Sequence, residues 1–331
     1  MDMDAFNAVH APDWQRLDEL AARRRLSGEE ADELLRLYQR ASAHLSMVRS
    51  VAPEGALSAA LSMRLSRART RFTGARSNFA EDLVYFFAAA LPAAFYRIRW
   101  LTLAVGAAFI LTAWLFGLWA ASTPGVISAA MGTDAEVQRY VEQDFAAYYS
   151  ENPAASFAGQ VWTNNAWIAL QAVAFGITGI WGPYVLYQNA MNVGMAGGVM
   201  AAYGQLDVFF SYILPHGLME LTAVFVAVAA GLRIFWAWVA PGRQTRGVSV
   251  AAEGRSLFTV ALGLVIVLFL SGLVEGFVTA SPLPAWLRIG IGAALFGAYW
   301  AYTLIPGRAA YRAGHRGDLS RRDRGDTVRT A

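Results

Sequence analysis

The chain has 331 residues, of which 56% are hydrophobic, 13% aromatic and 15% charged, with a formal net charge of +3. A soluble domain carries nearer a quarter charged residues, and several apolar stretches here reach the roughly 20 residues that cross a bilayer. A large soluble domain is therefore excluded, a transmembrane barrel is disfavoured because the apolar runs are continuous, and the absence of cysteine excludes disulfides, iron–sulfur clusters and thiolate zinc sites.

Every basic residue other than histidine is arginine. Residues 1–11 lack the basic-then-apolar order of a secretory signal, so insertion is expected to rest on internal helices. Residues 1–78 read as a helical arm on the cytosolic side. Trp14, Leu17 and Leu20 make one apolar stripe. Ser27-Gly28-Glu29-Glu30 is a capping box that predicts a second helix carrying Leu34, Leu35, Leu37, Tyr38 and Leu45 on one side. A third helix is expected after Pro53, with Leu57, Leu61 and Leu65 on one side and Arg64, Arg67, Arg69 and Arg71 among its polar positions. A solvated face near anionic headgroups accounts for these arginines, which makes membrane lipid an expected partner. No base-reading motif accompanies them, so no nucleic-acid partner is expected. Residues 79–99, with Phe79, Leu83, Phe86, Phe87, Leu91 and Phe95, are interrupted at Pro92 and end at Arg97 and Arg99. They predict an interfacial amphipathic helix on the inner leaflet.

The expected fold is all-α, a polytopic bundle over 100–306 with six spans near 101–120, 164–182, 184–203, 214–238, 257–279 and 285–305. Arg97, Arg99, Arg243, Arg246, Arg255, Arg308 and Arg312 flank the ends expected to face the cytoplasm. The loop 121–163 holds Asp134, Glu136, Glu142, Asp144 and Glu151 and is expected outside, so both termini fall in the cytoplasm. Helical spacing over 135–149 predicts a small external helix that caps the bundle or offers a partner surface. Gly179, Gly182 and Pro183 fit either a tight turn or a re-entrant segment within the pair 164–203. The tail 307–331, rich in arginine and aspartate from His315 onward, is expected to be disordered.

His216 and Glu220 stand four apart on one side of span four. Glu275 falls near the same depth on span five, and Asn164 and Asn165 at the start of span two, with Gln171 two turns deeper. Asn189 and Asn192 lie nearer the inner half of span three. Ionisable groups in a membrane are expensive and mark functional or assembly sites, so these residues predict a polar pocket opening outward. The alternative is plainer: Pro215 suits a first helical turn, His216 pairs with Glu220 at the wet interface, and the asparagines bond neighbouring helices. His216, Glu220 and Glu275 are also ligand types that a divalent metal accepts, though the His-Glu-x-x-His of helical zinc proteases is absent. A proton relay is another use of the same residues. No catalytic residue and no other cofactor is assigned, since no phosphate-binding loop, nucleophile elbow or redox motif is present. Arg233 is expected to snorkel to the cytoplasmic surface. Gly194-xxx-Gly198 and Gly272-xxx-Gly276 predict close helix packing, without deciding between packing within a chain and in a homo-oligomer.

Taken together, Asn164-Asn165 with Ala169, Phe175 and Gly176, then Asn189, Asn192 and Gly194, then Pro215-His216-Gly217 with Glu220-Leu221, Gly231-Leu232-Arg233 and Glu275-Gly276-Phe277-Val278-Thr279, resemble the stage II sporulation protein M family. Leu37-Tyr38-Gln39-Arg40 and His44-Leu45 resemble a segment of its longer, actinobacterial-type members, and the likeness covers roughly residues 10–310. The resemblance implies a multi-pass protein of the bacterial plasma membrane that serves as a non-enzymatic scaffold in a cell-envelope complex, with partners carrying the hydrolase chemistry. It also implies, for the longer members, association with an AAA ATPase, a von Willebrand-type protein and an RDD membrane protein. The long arm departs from the short sporulation form.

Overall fold

The computed structural model describes residues 3–23, 26–51, 55–72, 79–151 and 153–319, and no strand occurs among them. The chain divides into two compact units, Met1–Glu81 and Asp82–Ala331.

The first unit holds α1 (Met3–Ala22), α2 (Gly28–Val51) and α3 (Ala56–Phe72). The start of α2 is the capping box read from the sequence: the Glu30 N–H donates to Ser27 Oγ at 3.2 Å, and the Ser27 N–H donates back to the Glu30 carboxylate at 2.9 Å. Trp14, Leu17 and Leu20 bury against Leu34, Leu37, Ala41 and Val48 of α2 and Leu61, Leu65 and Ala68 of α3. Leu35, expected on the core side, is 45% exposed because the seam runs through its neighbours 34, 37, 41 and 48. Pro53 and the side chain of Arg71 lie outside the described residues. One polar contact sits in this core. Trp14 Nε1 donates to His44 Nδ1 at 3.2 Å, and the ring of His10 lies 4.0 Å from that of His44.

The second unit begins with α4 (Phe79–Tyr85), a π-helical turn at Phe86–Ala90, and α5 (Leu91–Ser122). These run as one 43-residue helix from Ala80 to Ser122. The amphipathic helix expected over 79–99 thus runs without a break into the first span helix. Pro92 lies just after the π turn at Phe86–Ala90, a local irregularity that accommodates a proline without its N–H, so the helix continues through it. Leu91–Phe95 is buried rather than surface-lying, with Leu91 and Phe95 against Gly263 and Phe95 against Tyr299. Next come the short helices α6 (Pro124–Met131), α7 (Asp134–Arg139) and α8 (Phe145–Ala147), with a second π turn at Tyr140–Asp144. Then follow α9 (Ala154–Ala174), α10 (Trp181–Ala202), α11 (Leu206–Val239), α12 (Arg246–Val274) with a third π turn at Glu275–Thr279, α13 (Ala285–Leu304) and α14 (Pro306–Arg312).

Among the described residues, four helices are long and apolar enough to cross a membrane: Ala80–Ser122, Leu206–Val239, Arg246–Thr279 and Ala285–Arg312. The other two expected spans are α9 and α10, of 21 and 22 residues, which start earlier and end sooner than the sequence reading placed them. Their turn is Phe175–Ile180, with Gly179 at φ +71°, while Gly182 and Pro183 lie inside α10. This hairpin runs beside most of α11. Gly176 touches Gly231 and Gly182 touches Val228 at one end, and Gly197 faces Phe209 at the other. The two helices of the pair thus lie side by side along α11.

Helix α11 is the centre, packed by α5, α9, α10, α12 and α13. Close approach is set by residues without side chains. A Cβ at Gly194 would meet the Ala113 carbonyl and Phe116, one at Gly198 the Gly117 carbonyl, and one at Gly276 the Ala154 carbonyl and Ala158. A Cβ at Gly272 would lie 3.1 Å from the Ala158 carbonyl. Both small-xxx-small spacings therefore act within the chain, α10 on α5 and α12 on α9.

At the end of α11 away from Phe209, Glu253 accepts from Arg97 and, at 2.9 Å, from Arg233. Arg233 is thus ion-paired while its side chain stays 38% exposed. The C-terminal segment also differs from expectation. Residues 307–319 are ordered: α14 packs Gly307 on Pro92, Gly317 is buried and accepts from Thr259 Oγ1, and Asp318 pairs with Arg255 at 3.1 Å. Residues 320–331 lie outside the described residues.

Two outcomes are expected. Gly198→Val should destabilise the bundle by about 1–3 kcal/mol through overpacking, whereas Gly290→Ala, with nothing within 4 Å, should leave the unfolding midpoint in detergent unchanged or higher. Burial holds His44 below its ordinary value of 6.5, with His10 adding to the effect. Both folded and unfolded forms are neutral above that value, so stability is full there. It is lost as pH falls through 6.5 and the unfolded chain takes up a proton, no more steeply than about 1.4 kcal/mol per pH unit for this group. Hydrogen exchange of α1–α3, corrected for intrinsic rates, should show this loss in the wild type and a flatter profile in His44→Gln.

Candidate functional site

The site forms where α11 meets the end of α12, and its parts follow from local sequence. Pro215 lies ten residues inside α11, not in a first turn, and has no N–H to offer the carbonyl of Ser211. Its carbonyl is met by Gly292 of α13, where any Cβ would collide. His216 follows, 5% exposed, and Glu220 lies one turn on. On the facing helix the Glu275–Thr279 π turn adds a residue to the helical register. Glu275 and Thr279, both buried, then address the same histidine.

His216 Nδ1 lies 3.1 Å from Thr279 Oγ1, which is itself 3.4 Å from the Val274 carbonyl. His216 Nε2 points the other way, 3.9 Å from Glu275 Oε1, too far for a hydrogen bond. The backbone carbonyl of His216 accepts from Ser271 Oγ at 3.1 Å. Glu220 lies close to both Glu275 and Asn165. One ligand atom each from His216, Glu220 and Glu275 falls within 4.8 Å of the other two. The remaining oxygens, Glu220 Oε2 and Glu275 Oε2, are buried without a hydrogen bond.

A lid of aromatic residues covers the site. Tyr149 stacks on Tyr212 with centroids 5.3 Å apart and lies 5.7 Å from the ring of His216. Arg288 of α13 donates to the Thr279 carbonyl and lies over the ring of Tyr212 at 5.0 Å. Tyr149 is held in place by the segment 124–151, where Ile127, Val137, Val141 and Phe145 bury against Phe157, Val199, Met200 and Phe209. The segment thus caps the ends of α9–α11.

The remaining residues of the expected pocket are distributed differently. Asn165 reaches the site from mid-α9, eleven residues past the helix start, while its neighbour Asn164 is exposed. Gln171 is half-buried farther along α9. On α10, Asn189 donates to the Val185 carbonyl of its own helix at 2.8 Å, and Asn192 is exposed. Sequence reasoning did not single out Tyr149, Tyr212, Ser271, Thr279 or Arg288 as site residues. Tyr212 was open to inference as the residue one turn before His216, and Arg288 as a charge in an apolar helix. Nothing in the pattern of the segment 124–151 selects Tyr149 over Tyr148.

Chemically, one imidazole and two carboxyl groups this close, with few donors around them, can share protons or hold a cation. Tyr149→Ala should remove the lid, destabilising that segment by about 3 kcal/mol and raising hydrogen exchange over residues 134–151. Tyr148→Ala, at a side chain 55% exposed, should have a much smaller effect.

The arm, residues 4–74, matches a family described as a domain of unknown function (DUF8413). No curated protein and no solved structure matches the chain. The model of the family described as stage II sporulation protein M matches residues 104–280, more than half of the chain, from within α5 through the Glu275–Thr279 turn. This is a membrane protein, and it belongs to the stage II sporulation protein M family.

Proposed function

We propose that the protein is a non-enzymatic scaffold of the bacterial plasma membrane, with both termini in the cytoplasm, that holds together a cell-envelope complex concerned with peptidoglycan remodelling or stress. One observation carries the reading. A three-helix unit with its own closed core, Trp14 to Ala68, is attached to a bundle bound by internal glycine contacts. Such a two-part chain suits coupling a cytosolic partner to the membrane. The orientation is supported by arginine at one end of the bundle, Arg97, Arg233 and Arg255, and by acids in the segment at the other, Asp134, Glu136, Glu142 and Asp144. The family membership supports the membrane setting. An AAA ATPase is among the partners that the resemblance implies, and the arm is the part of the chain proposed to meet it.

A second reading, a transporter or channel, is favoured by the buried His216–Glu220–Glu275 cluster. One set of proteins separates the two. Cross-linked native membranes should yield the AAA ATPase bound to the full chain and to His216→Ala and Glu220→Ala, but not to a chain lacking residues 1–78. Loss of the partner in the two point variants with the arm intact would count against the scaffold reading. Reconstituted vesicles showing a pH-dependent flux that Glu220→Gln abolishes would establish the second reading instead.

A further inference from the structure

We propose that His216 Nε2, Glu220 and Glu275 form a buried site for one divalent transition-metal ion of the zinc class, which ties α11 to the end of α12.

The tautomer comes first. An imidazole that binds a metal through Nε2 needs its proton on Nδ1, and that proton needs an acceptor. Thr279 Oγ1 is 3.1 Å from Nδ1 and can pass its own proton toward the Val274 carbonyl at 3.4 Å. The π turn at Glu275–Thr279 places both the acceptor of Nδ1 and a carboxylate opposite Nε2. This is the arrangement in which a second partner fixes the ring and leaves its other nitrogen free for a ligand.

The carboxylates come second. Glu275 is 4% exposed, and its Oε2 has no hydrogen bond. Glu220 Oε2 is likewise buried and without one. A buried polar oxygen without a partner costs about 1–3 kcal/mol, more when charged, and here two of them belong to one cluster. The nearby guanidinium does not relieve them. Arg288 donates through one terminal nitrogen to the Thr279 carbonyl and lies over the face of Tyr212, its Nε is itself buried without a partner, and among the described residues no arginine is ion-paired with either carboxylate.

Third, the spacing is right. Ligands of a tetrahedral ion with bonds of about 2.0–2.1 Å stand about 3.3 Å apart. The three ligand atoms lie within 4.8 Å of one another, and His216 Nε2 and Glu275 Oε1 are at 3.9 Å. Small rotations of the glutamate side chains close the difference. Two ligands one turn apart on a helix and a third from a neighbouring helix make a common helical metal set. The imidazole directs the choice toward zinc-class ions and away from magnesium and calcium, which prefer all-oxygen shells. Asn165 lies beside Glu220 and can supply a further oxygen or orient the carboxylate.

The test uses the full chain in lipid nanodiscs, stripped with a chelator and reloaded separately with zinc and with cobalt(II). Elemental analysis should return about one zinc per chain, as for a single site. The cobalt form should show visible ligand-field absorption that zinc displaces. The isosteric variants Glu220→Gln and Glu275→Gln, and His216→Ala, should lose the bound metal. Thr279→Val should weaken binding about 10–100-fold, and Asn192→Ala should bind as the wild type does. The isosteric variants keep the test valid if His216→Ala does not fold. No zinc on the reloaded wild type, or stoichiometric zinc that survives Glu275→Gln, would overturn the proposal. Metal binding is read here directly and without a partner, so its failure leaves the scaffold reading standing, and loss of the AAA ATPase leaves the metal site standing.

Discussion

Within a lipid bilayer, one helix has little to gain by exchanging lipid for another helix unless the two backbones come very close. That constraint governs the fold of the second unit. Helix α11 is buried on nearly every side, and its neighbours approach through bare backbone: Gly176 on Gly231, Gly292 on the Pro215 carbonyl, Gly182 on Val228. The same rule joins α10 to α5 through Gly194 and Gly198 and α12 to α9 through Gly272 and Gly276. Dispersion between closely fitted surfaces does what the hydrophobic effect does in water.

Close packing also explains how a polar cluster can be kept inside. His216 and Glu220 lie just past the proline in α11, and Glu275 and Thr279 on a π turn of the facing helix. Both features are departures from regular helix, and both lie at the same contact. Irregular backbone in a membrane is tolerated where protein covers it, and here Tyr149, Tyr212 and Arg288 supply the cover. Neither irregularity is needed to complete a hydrophobic bundle, which makes this contact the most specialised part of the molecule.

Much of this was legible in the residues, for identifiable reasons. The apolar runs, the Ser27–Glu30 capping box and the arm's stripe of Trp14, Leu17 and Leu20 are local signals, and local structure follows them. His216, Glu220 and Glu275 stood out because ionisable groups are rare in such segments. What the pattern could not give was register. Asn164 and Asn165 were assigned to a helix start that lies ten residues earlier, so one of them faces Glu220 and the other does not. Pro92 and Pro215 look like breaks, yet each is absorbed inside a long helix, the first just after a π turn. The order of residues 313–319 was invisible for a related reason. Their partners, Tyr85, Arg97, Thr259 and Arg255, come from distant parts of the chain, and composition reports only local tendencies.

The position of those last residues bears on how the protein is made. Leu91–Phe95 emerges early in synthesis and enters the membrane with the first span. Its packing surface consists of Gly263, Tyr299, Gly307 and Gly317, all from the final quarter of the chain. The Leu91–Phe95 end of α5 therefore stays open on that side until those later residues arrive, while its other end already meets Gly194 and Gly198 of α10. Closure of the bundle at that end waits on α14, and a chain truncated before α14 would reach the membrane with the groove around Pro92 unfilled.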